Sequence, residues 1–296
     1  MTAATLPPTT LVVCTRNRPR LLRETIESIL AADDVPEEIV IVDQGDEPQV
    51  SLEQLSRQDC DVRVVASRSK GLGRARNEGV AAARHDVLVF IDDDMWAHPA
   101  WLGTLIRVLV EGGSKTVVTG AVEATSGESW RAFTPATQEH ARGAVFEGRI
   151  GRDVLAGGHM AIERSAVSDV GGFDPRLGAG APYPAADDND FGFRLLERGY
   201  RIVYVADAVL YHRAWRPGWR YPLVRWRYGR GKGGFYAKHM RGGDGYMRGR
   251  AARDLGSRVN RFPRLLLRQP ALAAGDVAYV AGVIAGAARW WLCERA

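Results

Sequence analysis

The stretch Asp86-Val-Leu-Val-Phe-Ile-Asp92-Asp93-Asp94 decides the fold, because five apolar residues run unbroken into three adjacent carboxylates. A run this short and apolar on both faces reads as a strand buried between layers, without a wet side. Three neighbouring carboxylates repel one another unless a cation or a set of N–H donors neutralises them. Oxygen ligands at such a place suit Mg2+ or Mn2+, which keep open positions for phosphate oxygens. If the strand geometry continues, Asp92 and Asp94 point the same way and form the natural pair, one towards a nucleotide and one towards a metal. The plain alternative is a solvated acidic turn.

Working outward, Thr10-Leu-Val-Val-Cys-Thr15 repeats the buried-strand pattern, with Asn17 as a candidate N-cap and Pro19 near the first helical turn. Leu21, Leu22, Ile26, Ile29 and Leu30 then recur at helical spacing until Asp33, Asp34 and Pro36 end the helix. Glu38 to Asp43 and Val62 to Ala66 read as further strands, and Gly71 to Ala83 as an alanine-rich helix. Downstream, Trp101 to Val110 reads as a helix, Thr116 to Val122 as a strand and residues 123–153 as less regular. Asp187 to Arg198 is helical, and Arg201 to Val205 is a short strand before His212. Strands alternating with helices predict a largely parallel α/β sheet, whose ligands bind at the carboxyl ends of its strands. Asp43 and the aspartates at 92–94 stand at two such ends.

The chain has 296 residues and a net charge of +5, which conceals an asymmetry. Residues 213–296 hold 18 Lys and Arg against Asp244, Asp254, Asp276 and Glu294, a net +14, which leaves −9 for the rest. Two regions with different tasks follow from this. Cys14, Cys60 and Cys293 are far apart and form no C-x-x-C pair, which argues against a structural zinc site or a disulfide framework. Met1 to Thr10 lacks the basic and apolar segments of a secretory signal, so the catalytic part is expected to face the cytoplasm.

Five of the eight tryptophans, Trp215, Trp219, Trp226, Trp290 and Trp291, lie in the basic tail. Arginine with amphipathic aromatics suits peripheral docking on anionic lipid at the inner face of a membrane. Gln269 to Ala288 is apolar over 20 residues, but Asp276 near its middle makes a true span expensive. The bland alternative is a helical extension packed on the catalytic domain. Nothing in the tail matches a nucleic-acid motif, and no nucleic-acid partner is expected.

Six motifs occur in order: Val12-Val-Cys-Thr-Arg-Asn17, Ile39-Val-Ile-Val-Asp43, Gly71-Leu-Gly-Arg-Ala-Arg-Asn-Glu-Gly79, Phe90-Ile-Asp-Asp-Asp94, Gly171-Gly-Phe-Asp174, and Asp187-Asp-Asn-Asp190 with Arg194. Over about residues 9–240 this set resembles the family 2 glycosyltransferases, nucleotide-sugar-dependent enzymes with the GT-A fold. The resemblance implies a Rossmann-like, mainly parallel sheet flanked by helices over residues 1–214. Its nucleotide-sugar half would span about 1–98 and its acceptor half about 99–214, with a basic, aromatic, helical extension over 215–296.

The resemblance also implies roles. Thr15 and Asn17 line the nucleotide pocket, Asp43 meets the base or ribose, and Arg76 with Asn77 helps close the pocket. Asp92 and Asp93 lie on the donor side, and Asp94 with His212 holds the metal. Capping the predicted helix explains one of Asp187, Asp188 and Asp190 but not all three. In the family this place holds a Glu-Asp pair whose second member is the catalytic base, which carries over to Asp188, with Asp187 in place of the usual glutamate. Asp187, Asp190 and His159 are assigned to the acceptor side, His159 standing where asparagine is common after Gly-Gly.

The expected reaction is metal-assisted transfer of one sugar, with inversion, from a UDP-, GDP- or dTDP-linked donor to a hydroxyl of a glycan, lipid-linked or small-molecule acceptor, Asp188 being the general base. A sugar-phosphate nucleotidyltransferase would carry a glycine-rich loop with Gly-Thr-Arg near the first strand, which Cys14-Thr-Arg-Asn-Arg-Pro lacks. A noncatalytic nucleotide-sugar or membrane-binding scaffold is opposed by the intact set of Asp43, Asp92, Asp94 and Asp188.

Overall fold

The structure is a computed structural model that describes residues 6–125, 132–133, 137–138, 142–213, 215–240 and 245–294. Two buried strands, β1 (Thr9–Thr15) and β2 (Glu38–Asp43), and the half-exposed outer β3 (Asp61–Ala66) lie parallel, joined by α1 (Pro19–Leu30) and a short 3₁₀ turn. After α2 (Leu72–Ala82), β4 (Val87–Asp92) pairs parallel with β1 on the other side. The register sets Cys14 against Asp92 and Thr15 against Asp43, so the strand ends form one carboxyl edge.

The chain then makes β5 (Met95–Ala97), α3 (Trp101–Gly112), β6 (Thr116–Ala124), β7 (Ala132–Phe133), β8 (Ala144–Phe146), β9 (His159–Glu163), α4 (Arg164–Asp169), α5 (Asp187–Glu197), β10 (Arg201–His212) and β11 (Arg216–Pro217). The main sheet has the order β3-β2-β1-β4-β9-β6-β10-β5, with β8 on β10. Its first four strands and the pair β6–β10 are parallel, whereas β9 runs antiparallel between β4 and β6. The expected α/β architecture is present, with β9 inserted antiparallel inside the sheet and the short β5 and β8 antiparallel on β10.

Two local expectations are corrected. Asn17 is not an N-cap: the cap position is Arg18 and makes no side-chain cap bond. Asn17 instead adopts φ +56°, a left-handed conformation that asparagine tolerates, and its side chain bonds to Asp46. The strand expected to end at Val205 continues to His212, because a register shift between Val205 and Val209 absorbs Ala206-Asp-Ala208. That bulge carries His212 to the carboxyl edge. Of the stretch 123–153 expected to be less regular, residues 126–131, 134–136 and 139–141 lie outside the described residues.

The tail forms α6 (Tyr221–Met240), α7 (Gly245–Arg268) and α8 (Pro270–Cys293). Helices α6 and α8 run side by side in the same direction, Gly229 lying against the Tyr279 carbonyl and Gly233 against the Val283 carbonyl. A Cβ at Gly233 would stand 2.1 Å from that oxygen, so the backbones touch only because glycine is there. The opposite side of α6 sets Gly231 against the Ala185 carbonyl and Gly234 against the Tyr183 ring, and so welds the tail to the loop before α5.

Gly233→Ala is therefore expected to destabilise the protein by about 1–3 kcal/mol through overpacking. Gly256, inside α7 with open space around its Cα, gives the opposite sign, and Gly256→Ala is expected to add about 0.5–1 kcal/mol. Paired thermal or urea unfolding checks both; equal effects would remove the close-packing explanation.

Candidate active site

The carboxyl edge gathers the aspartates but gives each a different neighbour. Asp93 is buried and accepts hydrogen bonds from Thr15 Oγ1 at 2.7 Å and from Arg18 Nη1 at 2.9 Å. The same Arg18 Nη1 donates to Asp94 Oδ2 at 2.9 Å. Burial pushes the Asp93 carboxyl up to about 6 against the pull of Arg18, and burial together with the Asp92 charge raises Asp94. Asp92 is half-exposed and faces Arg76 Nη2 at 3.2 Å. The three carboxylates are thus partly neutralised by guanidinium groups.

Arg76 itself is buried and reaches in two directions. Its Nη1 donates to Asp187 Oδ2 at 2.5 Å, so one guanidinium spans the end of β4 and the start of α5. The Gly157-Gly158 pair makes room for this crossing. A Cβ at Gly157 would stand 2.6 Å from Arg76 Nη1 and 2.9 Å from Asp188 Cβ, and one at Gly158 would collide with the Asp92 carboxylate. Phe173, stacked on Phe191 at a centroid distance of 4.1 Å, supports the guanidinium from 5.3 Å. Asn77 clamps the Phe173 backbone, donating to its carbonyl and accepting from its N–H, both at 2.8 Å.

Asp188 is half-buried beside this crossing, its Oδ1 accepting the Asn189 N–H at 2.8 Å. Burial pushes its carboxyl up to about 7, with the charges of Asp187 and Asp153 adding to the rise and Arg76 opposing it. Asp187 is raised by burial as well. Immediately before them Ala186 holds φ +68°, a left-handed conformation costing a non-glycine residue about 1–3 kcal/mol, and α6 buttresses it through Gly231. Lys232 of α6 donates to Asp153 Oδ2 at 2.6 Å and to Asn189 Oδ1 at 3.1 Å, while Arg250 of α7 donates to Asp153 Oδ1 at 2.6 Å. The tail thereby supplies two cations next to the candidate base.

His212 reaches the site through strand pairing, opposite Met95. Its Nε2 lies 3.7 Å from Asp94 Oδ1, too far for a hydrogen bond, and its buried Nδ1 has no partner among the described residues. Burial lowers its basicity, which favours the neutral ring. This nitrogen and oxygen donor pair fits Mn2+ bound by few protein ligands. Among the described residues, no three His, Cys, Asp or Glu side chains form a ready-made cation cage. Beside the pair, a cavity of about 450 Å³ is lined by Arg18, Leu21, Arg213, Trp215, Arg216, Pro217 and Arg220.

Other expected site residues are engaged elsewhere. Both Asp43 oxygens accept backbone N–H groups of their own loop, from Gly45 at 2.7 Å and Gln49 at 2.9 Å. Two acceptor-side expectations are corrected. His159 is 0% exposed and its Nε2 accepts the Trp101 indole N–H at 2.7 Å, because β9 turns it into the core. Asp190, also fully buried, is bound by Arg194, Lys238 and His239; burial alone would raise it, but these partners hold it down at about 2. Arg18, Asp153, Lys232 and Arg250 had no assigned role in the sequence. Arg18 was visible in the Cys14-Thr-Arg-Asn-Arg motif, whereas Lys232 and Arg250 are indistinguishable in sequence from the solvated arginines around them.

The fold has well-defined relatives among solved structures. A mannosyltransferase from Pyrobaculum calidifontis in complex with GDP-Man and Mn2+ superposes with a TM-score of 0.64 at 18% identity, covering 99% of this chain and 89% of that one. Residues 1–349 of S. aureus TarS superpose with a TM-score of 0.55 at 15% identity, covering 96% and 91%. In sequence, the chain is 27% identical over 208 residues to a pre-mycofactocin glycosyltransferase of Mycobacterium tuberculosis, covering 69% of this chain but only 42% of that protein. It is 28% identical over 221 residues to a glucosyl-dolichyl phosphate glucuronosyltransferase of Haloferax volcanii, covering 69% and 68%. The model of the family described as "Glycosyl transferase family 2" matches residues 10–171, more than half of the chain, and the protein belongs to that family.

Proposed function

We propose that the protein transfers a sugar from a nucleoside diphosphate sugar to an acceptor hydroxyl, inverting the anomeric carbon, with Asp188 as general base. The observation that carries this reading is the single guanidinium of Arg76, which ties donor-side Asp92 to Asp187, the immediate neighbour of Asp188. Residues 1–98 would supply most of the donor side and 99–214 most of the acceptor side, with 215–296 as the basic extension. The complex of the Pyrobaculum mannosyltransferase with GDP-Man and Mn2+ supports the donor class and a divalent metal.

Asp94 and His212 would hold the metal, which when bound stabilises negative charge gathering on the departing diphosphate. Arg18 and Arg216 line the cavity beside these two residues and add positive charge there. Asp188 takes the acceptor hydroxyl proton as that oxygen attacks the anomeric carbon. The bond to the diphosphate breaks on the opposite face, and the nucleoside diphosphate leaves. Donors linked to UDP, GDP or dTDP, acceptors that are glycans, lipid-linked or small molecules, and a cytoplasmic location at an anionic membrane surface complete the reading.

Release of nucleoside diphosphate, measured across donors with and without Mn2+, tests this function. Asp188→Asn is expected to lower transfer by roughly 10²–10⁴-fold while donor binding persists. Full transfer by that variant would eliminate Asp188 as the base. Chelation should abolish release and Mn2+ should restore it; a chelator-resistant rate would reject the metal role of Asp94 and His212.

The base must be ionised to act, and its raised value places the acid limb of kcat/KM near pH 7, with activity falling as pH drops below it. Lys232→Met removes a cation that offsets Asp153, so Asp188 becomes harder to ionise and the limb moves to higher pH. A pH profile of kcat/KM reads this directly. A variant that loses activity equally at every pH would mark Lys232 as purely structural.

A further inference from the structure

Helix α8 has an inner and an outer face of different kinds. Its inner face, with Gly275, Gly282, Gly286 and Trp290, is buried against α6 and the loop at Tyr183. Its single acidic side chain, Asp276, is taken up by α7, accepting from Arg258 at 3.0 Å and from Arg261 at 2.5 and 2.6 Å. The outer face is wholly apolar. Val277, Ile284 and Trp291, seven residues apart, are 54%, 62% and 46% exposed, and Ala274, Ala281 and Ala288 fill the turns between them. No charged side chain interrupts this face of α8 between Pro270 and Arg289, a distance of about 28 Å along the helix.

The neighbouring end of α7 continues the surface. Leu266 and Leu267 are 53% and 87% exposed, and they sit between Arg264 and Arg268. Arg264 and Arg268 are exposed and form no ion pair among the described residues. Apolar surface of this extent marks a place of attachment, and its border of unpaired arginines selects an anionic occupant. A second copy of the chain is a poor match, because it would bring two tails of net +14 together. A membrane span is also a poor match. Helix α8 touches α6 backbone to backbone, and α6 is seated on Ala185 and Tyr183, so crossing a bilayer would strip α8 away or drag the sheet domain into hydrocarbon.

We propose that the outer face of α8, with the Leu266-Leu267 end of α7, docks on the surface of an anionic phospholipid bilayer, α8 lying along the interface with its apolar stripe among the upper acyl chains. The first turn of α6 lies beside the first turns of α8, since the Tyr221 ring packs on Gly275. Arg213, Trp215, Arg216 and Arg220, which line the cavity at Arg18, lead directly into that turn. Docking through α8 would therefore hold the arginine-lined cavity about one helix diameter, roughly 10 Å, behind the docked face, within reach of an acceptor whose polar part projects from the bilayer. This deepens the membrane partnership named above and rests on the transferase reading only for the purpose of the cavity.

Flotation of the full chain with vesicles of phosphatidylcholine alone, or of phosphatidylcholine with phosphatidylglycerol, tests the inference without donor or acceptor. The protein is expected to float only with the anionic vesicles. Val277→Glu with Ile284→Glu should abolish flotation while leaving thermal unfolding unchanged, because both side chains point out of the fold. Arg264→Ala and Arg268→Ala should each weaken partitioning by roughly fivefold. Failure of the wild type to float, equal flotation with neutral vesicles, or retained flotation of the double glutamate variant overturns the proposal. So does a double variant that still floats but changes from dimer to monomer by light scattering, which assigns the face to a second copy. Donor turnover, assayed separately in vesicle-free solution, shows whether the transferase reading stands or falls independently.

Discussion

The arrangement of the candidate site depends on one buried guanidinium. Arg76 is removed from water and is stable there only because Asp92 and Asp187 face its two amino groups. Those carboxylates come from opposite parts of the chain, one ending a central strand and the other opening a helix almost a hundred residues later. An uncompensated charge at this depth would cost several kcal/mol, so the strand end and the helix start are held in register by the requirement to neutralise it. Gly157 and Gly158 are consequences of that crossing, since any side chain there would occupy the space of the guanidinium or of the Asp92 carboxylate. The Gly171-Gly-Phe-Asp174 motif serves the same crossing by placing Phe173 beside Arg76 and its backbone on Asn77.

The basic tail is bound into this arrangement. Helix α6 presses on the residue before the strained Ala186, and its Lys232 joins Arg250 of α7 in neutralising Asp153, whose charge would otherwise push Asp188 higher. Part of the tail's positive charge is thus spent internally, and part is exposed, with Arg264 and Arg268 beside an apolar face. A single net charge per region could not distinguish these two uses, because buried and solvated arginines count alike in composition. Burial of Lys232 and Arg250 is tolerated for the same reason as that of Arg76, each having a carboxylate within hydrogen-bond distance.

Several expected residues also make structural bonds. Asn77, assigned to the nucleotide pocket, ties down a backbone segment, and Asp43 accepts N–H groups of its own loop with both oxygens. His159 and Asp190 are fully buried with specific partners. In each case motif position located the residue in the right region but could not tell which way its side chain turns. That direction is set by strand register and helix phase, as at β9, where an antiparallel strand faces His159 towards Trp101.

The sequence by itself determined the α/β architecture, the strand ends at Asp43 and Asp92, the helix opening with Asp187 and Asp188, and the two-signed charge of the chain. These are local properties: apolar runs bounded by polar residues specify buried strands, and their ends need no distant information. Tertiary structure alone decided which carboxylates share a cation, how His212 comes to lie beside Asp94 and which side of the last helix remains uncovered. A bulge in one strand, an inserted antiparallel strand and a glycine-mediated helix contact fix those outcomes. Each depends on what packs across a gap of many residues, where Coulomb energy and steric exclusion act and sequence spacing carries no distance.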